Sequence, residues 1–199
     1  QPPLFKVKKG SSEVYLKDED TLDNYLVDQL VVDTVLSNKS GENRTSSDLK
    51  SLILSAKKQY FSIKALSKSI NINLVERMAI SGALDVNLLD DDEKAKVVVE
   101  FVSKSLNKFA LAGEDGWEGK YITEEKKYIF KHDRRGVISE YIIDKTILNS
   151  SDARKLEKDA AELQETYFSG ATLIKGDDSF NIIGPSDLYQ TSIDIGRKG

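Results

Sequence analysis

The sequence contains no cysteine. That excludes disulfides, zinc ribbons and thiol nucleophiles, and it fits a reducing compartment. No window approaches the roughly 18 consecutive apolar residues that a membrane-spanning helix needs. The start, Gln1-Pro2-Pro3-Leu4-Phe5, has no apolar run behind it and does not read as a signal peptide. Charge of one sign is not in excess: 29 Lys and Arg stand against 33 Asp and Glu, a formal net charge of -4. Such a balance supplies no global basic field for steering onto nucleic acid, so any DNA contact must come from local patches. Together these absences predict a soluble, cytoplasmic chain.

What is present suffices for a fold. With 199 residues and 39% hydrophobic content, the chain can form one ordinary domain or two small ones. Leu4 to Lys8 alternates, Lys9-Gly10-Ser11-Ser12 turns and Val14-Tyr15-Leu16 continues, predicting a hairpin. Asp18 is placed to cap a helix with Leu22, Tyr25, Leu26 and Leu30 on one face. Val31, Val32, Val35 and Leu36 read as a strand, and Ser37 to Thr45 as a surface loop. Three helices follow. The first, capped by Ser46 or Ser47, carries a stripe from Leu49 to Leu66; the second starts near Asn73 and stops at Gly82. The third spans Leu89 to Leu111, with Val98, Phe101, Val102, Leu106 and Phe109 facing inward.

After this helical central part come three strand-like stretches, from Trp117, Lys127 and Val137, the last two joined at Arg134-Arg135-Gly136. Apolar residues at 153, 156, 160, 163 and 167 keep heptad spacing and predict one helix from Ser151 to Phe168. A second hairpin turns at Gly176-Asp177-Asp178, and Gly184-Pro185 starts a last helix ending near Gly196. The fold class is α+β.

Few stretches suggest chemistry. Gly113-Glu114-Asp115-Gly116-Trp117-Glu118-Gly119-Lys120 is superficially like a phosphate-binding loop. Its spacing between glycines is wrong, Tyr121 replaces the hydroxyl residue, and its carboxylates would repel a triphosphate. Asp90-Asp91-Asp92-Glu93 could offer oxygen ligands to a hard cation, but acidic residues also favour a helix N-terminus, which is the expectation here. Asp177-Asp178 reads as a turn. His132 is the only histidine. A lone imidazole can act as a general base, but no nucleophile is signalled beside it, and an exposed strand residue is expected. Basic residues are the most useful signal. Lys131, Arg134 and Arg135 gather at a hairpin and are the candidate DNA contacts. Lys57, Lys58, Lys64 and Lys68 recur on one helix, Lys6, Lys8 and Lys9 mark the first hairpin, and Arg197 and Lys198 lie near the end.

The two ends carry a family resemblance. Gln1-Pro2-Pro3-Leu4-Phe5-Lys6-Val7-Lys8-Lys9-Gly10 followed by Tyr15-Leu16-Lys17-Asp18-Glu19 resembles the "QPPLYKVKKGK…YLKDE" pattern in the Toprim region of gyrase B subunits. Gly184-Pro185-Ser186-Asp187-Leu188-Tyr189 and Gly196-Arg197-Lys198-Gly199 are similar to the stretch before that family's "RFKGLGEM" segment. The middle resembles the large inserted domain of many Gram-negative gyrases, through Ala79-Ile80-Ser81-Gly82-Ala83-Leu84-Asp85, Arg134-Arg135-Gly136-Val137 and Ser151-Asp152-Ala153-Arg154.

The resemblance implies a division into residues 1–30, a Toprim-derived entry hairpin and helix; 31–178, the insert; and 179–199, the exit strand and helix. Both chain ends are then expected to be cut edges of the Toprim fold. The size of the insert separates gyrase from topoisomerase IV. The whole enzyme would be an ATP-dependent type IIA topoisomerase that negatively supercoils double-stranded DNA. Its partners would be the gyrase A subunit and the rest of the B subunit, with no membrane. Its magnesium motifs, "EGDSAGG" and "DxDxDG", are absent from this chain, so magnesium and ATP belong to the full-length enzyme. No catalytic, cofactor or metal residue can be carried onto any position here. The segment is expected to be a non-catalytic insert that contacts DNA or neighbouring subunits and couples DNA binding to strand passage. The competing expectation is a steric scaffold that never touches nucleic acid.

Overall fold

Local sequence sets most of the elements. The structure, a computed structural model, describes residues 5–9, 12–16 and 18–198. Strand β1 (Phe5–Lys9) pairs antiparallel with β2 (Ser12–Leu16); the turn expected at Gly10 and Ser11 lies outside the described residues. Asp18 caps α1 (Glu19–Leu30), accepting from the Thr21 amide at 2.8 Å. The valines after it do not start a strand. Val31–Asp33 is a 3-10 turn with Val32 81% exposed, and β3 (Thr34–Asn38) begins only where the Thr34 hydroxyl has donated back to the Leu30 carbonyl. The predicted loop is a hairpin with β4 (Asn43–Thr45), because the Asn38 carboxamide oxygen accepts from the Ser40 and Glu42 amides and tightens the turn.

The central helices are α2 (Ser46–Leu66), α3 (Ile72–Ile80) and α4 (Asp92–Lys108). Strands β5 (Trp117–Ile122), β6 (Lys127–Arg134) and β7 (Val137–Ile143) form the expected meander. A short helix α5 (Lys145–Leu148), capped by Asp144, follows where the sequence pattern announces none. The predicted single helix is broken into α6 (Ser151–Lys158) and α7 (Ala160–Tyr167). At the break the Asp159 amide bonds the Leu156 carbonyl, and its carboxylate accepts from the Gln59 carboxamide at 3.1 Å. The apolar stripe survives the kink, since Ala153, Leu156, Leu163 and Tyr167 are all buried. Strands β8 (Ala171–Lys175) and β9 (Asp178–Ile182) and helix α8 (Pro185–Lys198) finish the chain, with Gly196 inside α8 and not at its end.

Two compact units emerge, one from residues 1–58 with 169–199 and the other from residues 59–168. In the first, an antiparallel sheet of order β4-β3-β8-β9 joins distant parts of the chain, setting Leu36 opposite Leu173, both buried. Helices α1 and α8 close upon each other at Gly196, where any Cβ would meet the Cβ of Leu26 at 2.9 Å. Asp23, 6% exposed, sits between α1, α2 and α8. It accepts from the Tyr189 hydroxyl at 2.5 Å and faces the Lys57 ammonium at 3.2 Å.

The second unit packs α4 on one face of the β5-β6-β7 sheet. Its inward residues are Ala95, Val99, Val102 and Leu106. Phe101 faces outward instead of inward: it is 43% exposed and stacks on Phe168 with centroids 5.0 Å apart. Along the sheet, period-two alternation buries Tyr121, Tyr128 and Phe130 against the helix. Both polar atoms of the Asn107 side chain bond the Trp117 backbone at 3.0 Å, tying the end of α4 to the start of β5. The close approach requires Gly119, where a Cβ would meet Ser103 Oγ at 2.5 Å, Phe130 at 2.8 Å and Val99 at 2.9 Å. Gly119→Ala should therefore destabilise this unit by about 1–3 kcal/mol through overpacking, read as a lowered denaturant midpoint with an unchanged m-value.

Candidate nucleic-acid interface

The β6–β7 turn is the best-defined basic feature. Its two-residue loop, Arg135-Gly136, has φ of 54° and 88°. Positive φ at both positions is the turn geometry whose twist matches the flanking strands. The Asp133 carboxylate holds the turn by accepting from the Gly136 amide at 2.8 Å. Glycine satisfies this geometry freely, whereas Arg135 occupies it against its own Cβ. The sequence thus brings Lys131, Arg134 and Arg135 to one exposed end of a sheet.

Acidic neighbours accompany them. Arg134 donates to the Glu114 carboxylate at 2.8 Å. Strand register sets Lys131 between Glu118 on β5 and Glu140 on β7, the latter 3.9 Å from its ammonium. A groove of about 460 Å³ beside the turn is lined by Glu114, Arg134 and Arg135 among others. The helical lysines do not act together either. Lys57 is directed inward against Asp20 and Asp23. Burial alone would lower its pKa, but bonding to the two carboxylates raises it on balance. Lys64 lies 5.6 Å above the Tyr60 ring, a modest cation–π contact.

The remaining sequence signals resolve into structural roles. The glycine-rich stretch at 113–120 is a connection leading into β5. Asp91 caps α4 through the Lys94 amide. Asp90 accepts from Lys126 and Lys145, each at 3.0 Å, and these bonds hold its carboxyl below the usual range. Asp178 opens β9 directly after a turn. His132 is not the exposed strand residue expected. It is 5% exposed, lies flat on Trp117 with centroids 4.0 Å apart, and its Nε2 bonds the Glu114 carbonyl at 2.8 Å. The alternation that buries Tyr128 and Phe130 places residue 132 on the same covered face. Among the described residues no group of three or more His, Asp or Glu side chains is placed to hold a metal ion, and no helix is long and apolar enough to cross a membrane.

One ionisable group gives no signal in sequence. Burial, with Asp85 adding to it, pushes the Glu157 carboxyl up to about 7 from 4.5, and its Oε2 is buried without a bonding partner. Only the tertiary packing around the helix creates this condition. A carboxyl with a raised folded-state pKa favours folding while protonated, so that contribution is lost as pH rises from about 4.5 to about 7. Glu157→Gln should match the parent in stability at about pH 4 and exceed it at about pH 8, as checked by denaturant unfolding across that range.

Comparison with known proteins bears on the whole chain. Residues 35–184 match the family described as "DNA gyrase B subunit insert domain", and residues 3–28 match "GyrB, hook". Similar relatives include the B subunit of DNA gyrase from Caulobacter vibrioides, 33% identical over all 199 residues, which make up 23% of that protein. The DNA gyrase B subunit of Rickettsia bellii is 29% identical, covering 100% of this chain and 24% of its own length. The B subunit of the type 2 topoisomerase from Aquifex aeolicus is 25% identical over 78% of the chain and 19% of its own length. The chain thus spans about a quarter of the gyrase relatives it matches.

Proposed function

Because the chain belongs to the DNA gyrase B insert-domain family, we propose that it works as a non-catalytic insert within an ATP-dependent type IIA topoisomerase that negatively supercoils DNA. The partners in this reading are the gyrase A subunit, the rest of the B subunit and double-stranded DNA; magnesium and ATP act elsewhere in the full enzyme. Residues 1–30 and 179–199 serve as the tether to Toprim, and residues 31–178 form the insert. The insert contacts DNA or neighbouring subunits and couples DNA binding to strand passage.

The observation that carries this reading is that segments far apart in the chain pair near both boundaries of the insert. β3 pairs with β8, and α1 packs on α8, while residues 59–168 form a unit with a core of its own. Arg135, exposed at a turn, is the hairpin cation best able to meet a phosphate. The scaffold reading draws on a separate observation, the carboxylates that flank Lys131 and bind Arg134.

Two experiments test these readings. Removing residues 31–178 from the full B chain, in complex with the gyrase A chain, should abolish most supercoiling and weaken DNA binding; unchanged values for both would refute the coupling role. Arg135→Asn removes the charge while keeping a residue that tolerates positive φ. It should leave folding intact and reduce the slope of log affinity against log salt by about 0.9, whereas an unchanged slope favours bracing without DNA contact.

A further inference from the structure

The sheet of the second unit has two edges, and the chain treats them differently. At β5 the Asn107 carboxamide bonds the backbone N–H and carbonyl of Trp117 at 3.0 Å, standing in for a neighbouring strand. At β7 the only strand neighbour among the described residues is β6. The register closes the β6–β7 turn with Arg134 opposite Val137, and a two-residue loop makes that closing pair a bonded one. Bonded and non-bonded pairs alternate along an antiparallel ladder. Ile138, Glu140 and Ile142 therefore turn their backbone N–H and C=O groups away from β6, toward the open edge. Their side chains share the outer face: Ile138 is 64% exposed, Ile142 45% and the Glu140 side chain 48%. Sheets commonly blunt such edges by shortness, proline or lysine. β4, an edge of the four-stranded sheet, has three residues. β7 has seven, with one charge and no proline.

We propose that the β7 edge takes up an extended segment of a different chain of the assembly as a fourth strand. That segment carries a lysine or arginine opposite Glu140 and apolar residues opposite Ile138 and Ile142. The proposal rests on the reading of the insert as a module that meets neighbouring subunits, and it names the chemistry of the meeting. Charge complementarity selects the occupant. Across the three strands one rung runs Glu118, Lys131, Glu140, and it ends at the edge in a carboxylate. Lys131 stands 3.9 Å from Glu140, beyond hydrogen-bond length, so the carboxylate can accept from a second cation on its open side. The rungs before and after this one end at the edge in Ile138 and Ile142. Backbone bonding along the edge gives affinity, and the alternating side chains give selectivity. A second copy of this chain fits less well. Self-pairing centred on Glu140 sets two carboxylates directly opposite, which is unfavourable. Centred one residue to either side, it sets Glu140 against an isoleucine and leaves Ile142 or Ile138 without a strand partner.

The test follows backbone hydrogen exchange, residue by residue, in the full B chain alone and in complex with the gyrase A chain. In the B chain alone the amides of Ile138, Glu140 and Ile142 should exchange freely, while those of Ser139 and Tyr141, bonded to β6, are protected. In the complex all of these amides should be protected. Glu140→Lys, at an exposed position, should return the edge amides to fast exchange in the complex and leave Ser139 and Tyr141 protected. That pattern separates loss of the added strand from loss of the sheet. Glu140→Asp should keep the protection. A synthetic probe, a cyclised hairpin whose free strand carries isoleucine, lysine and isoleucine at alternate positions, should slow the same amides in the B chain alone. It should bind about fivefold more tightly than its counterpart with glutamate for lysine. Fast exchange of the edge amides in the complex overturns the proposal, as does protection that Glu140→Lys leaves unchanged or equal binding of the two probes. Protection in the B chain alone also overturns it. It assigns the edge to a second copy where it grows with concentration, and to the rest of the B chain where it does not. Should β7 fail these tests while removal of residues 31–178 still abolishes supercoiling, the edge site falls and the coupling role stands.

Discussion

The pairing of β3 with β8 is the constraint on which the rest of the structure depends. Thr34 to Asn38 lies antiparallel to Lys175 to Ala171, so everything after β4, from Ser46 to Gly170, has to leave this sheet and return to it. Closing so long a segment costs conformational entropy, though the cost grows only slowly with length. Burial has to offset it locally. Leu36 and Leu173 face each other in the sheet with no more than 2% exposure, and Leu188 of α8 is fully buried in the same unit. The Asp23 carboxylate adds directional contacts, since Tyr189 and Lys57 reach it from two other helices. A buried charge with its partners removed is far more costly than the pair is stabilising, so this node specifies how α1, α2 and α8 meet more than it adds to stability.

The second unit obeys a different rule, close approach. Its sheet and α4 touch through Gly119, and the Asn107 carboxamide replaces a missing strand neighbour for the Trp117 backbone. That contact explains the aromatic content of the covered face, where Trp117, His132, Tyr128 and Phe130 fill the layer beneath the helix. It also leaves the other face of the sheet to solvent, where charged residues stand beside exposed Ile138 and Ile142. Residues 118, 131 and 140 share a rung, and alternation sends all three outward. Cation and carboxylate are neighbours there because of register, a relation invisible to any count of basic residues along the chain.

The candidate site was partly legible. Arg134-Arg135-Gly136 between two strand-like runs announced a tight turn with exposed cations, and the turn lies there. Glu114 as the partner of Arg134 was not legible, since twenty residues of chain separate them. The lysines at 57, 58, 64 and 68 looked alike in sequence, yet Lys57 is sequestered by Asp20 and Asp23 while Lys58, Lys64 and Lys68 are exposed. The open edge at β7 could not have been read from spacing, since it depends on which strands lie beside it.

By itself the sequence determined the local elements and the family. Caps at Asp18 and Asp91, the strand alternation and the turn residues act over a few positions, so they operate in any context. Terminal and internal segments kept the pattern of gyrase B subunits strongly enough to be recognised. Tertiary structure alone decided the break at Asp159, the burial of His132, the elevated Glu157 carboxyl and which cations meet carboxylates. Each of these follows from contacts between residues far apart in the chain, whose energies depend on distance and burial that no local pattern encodes.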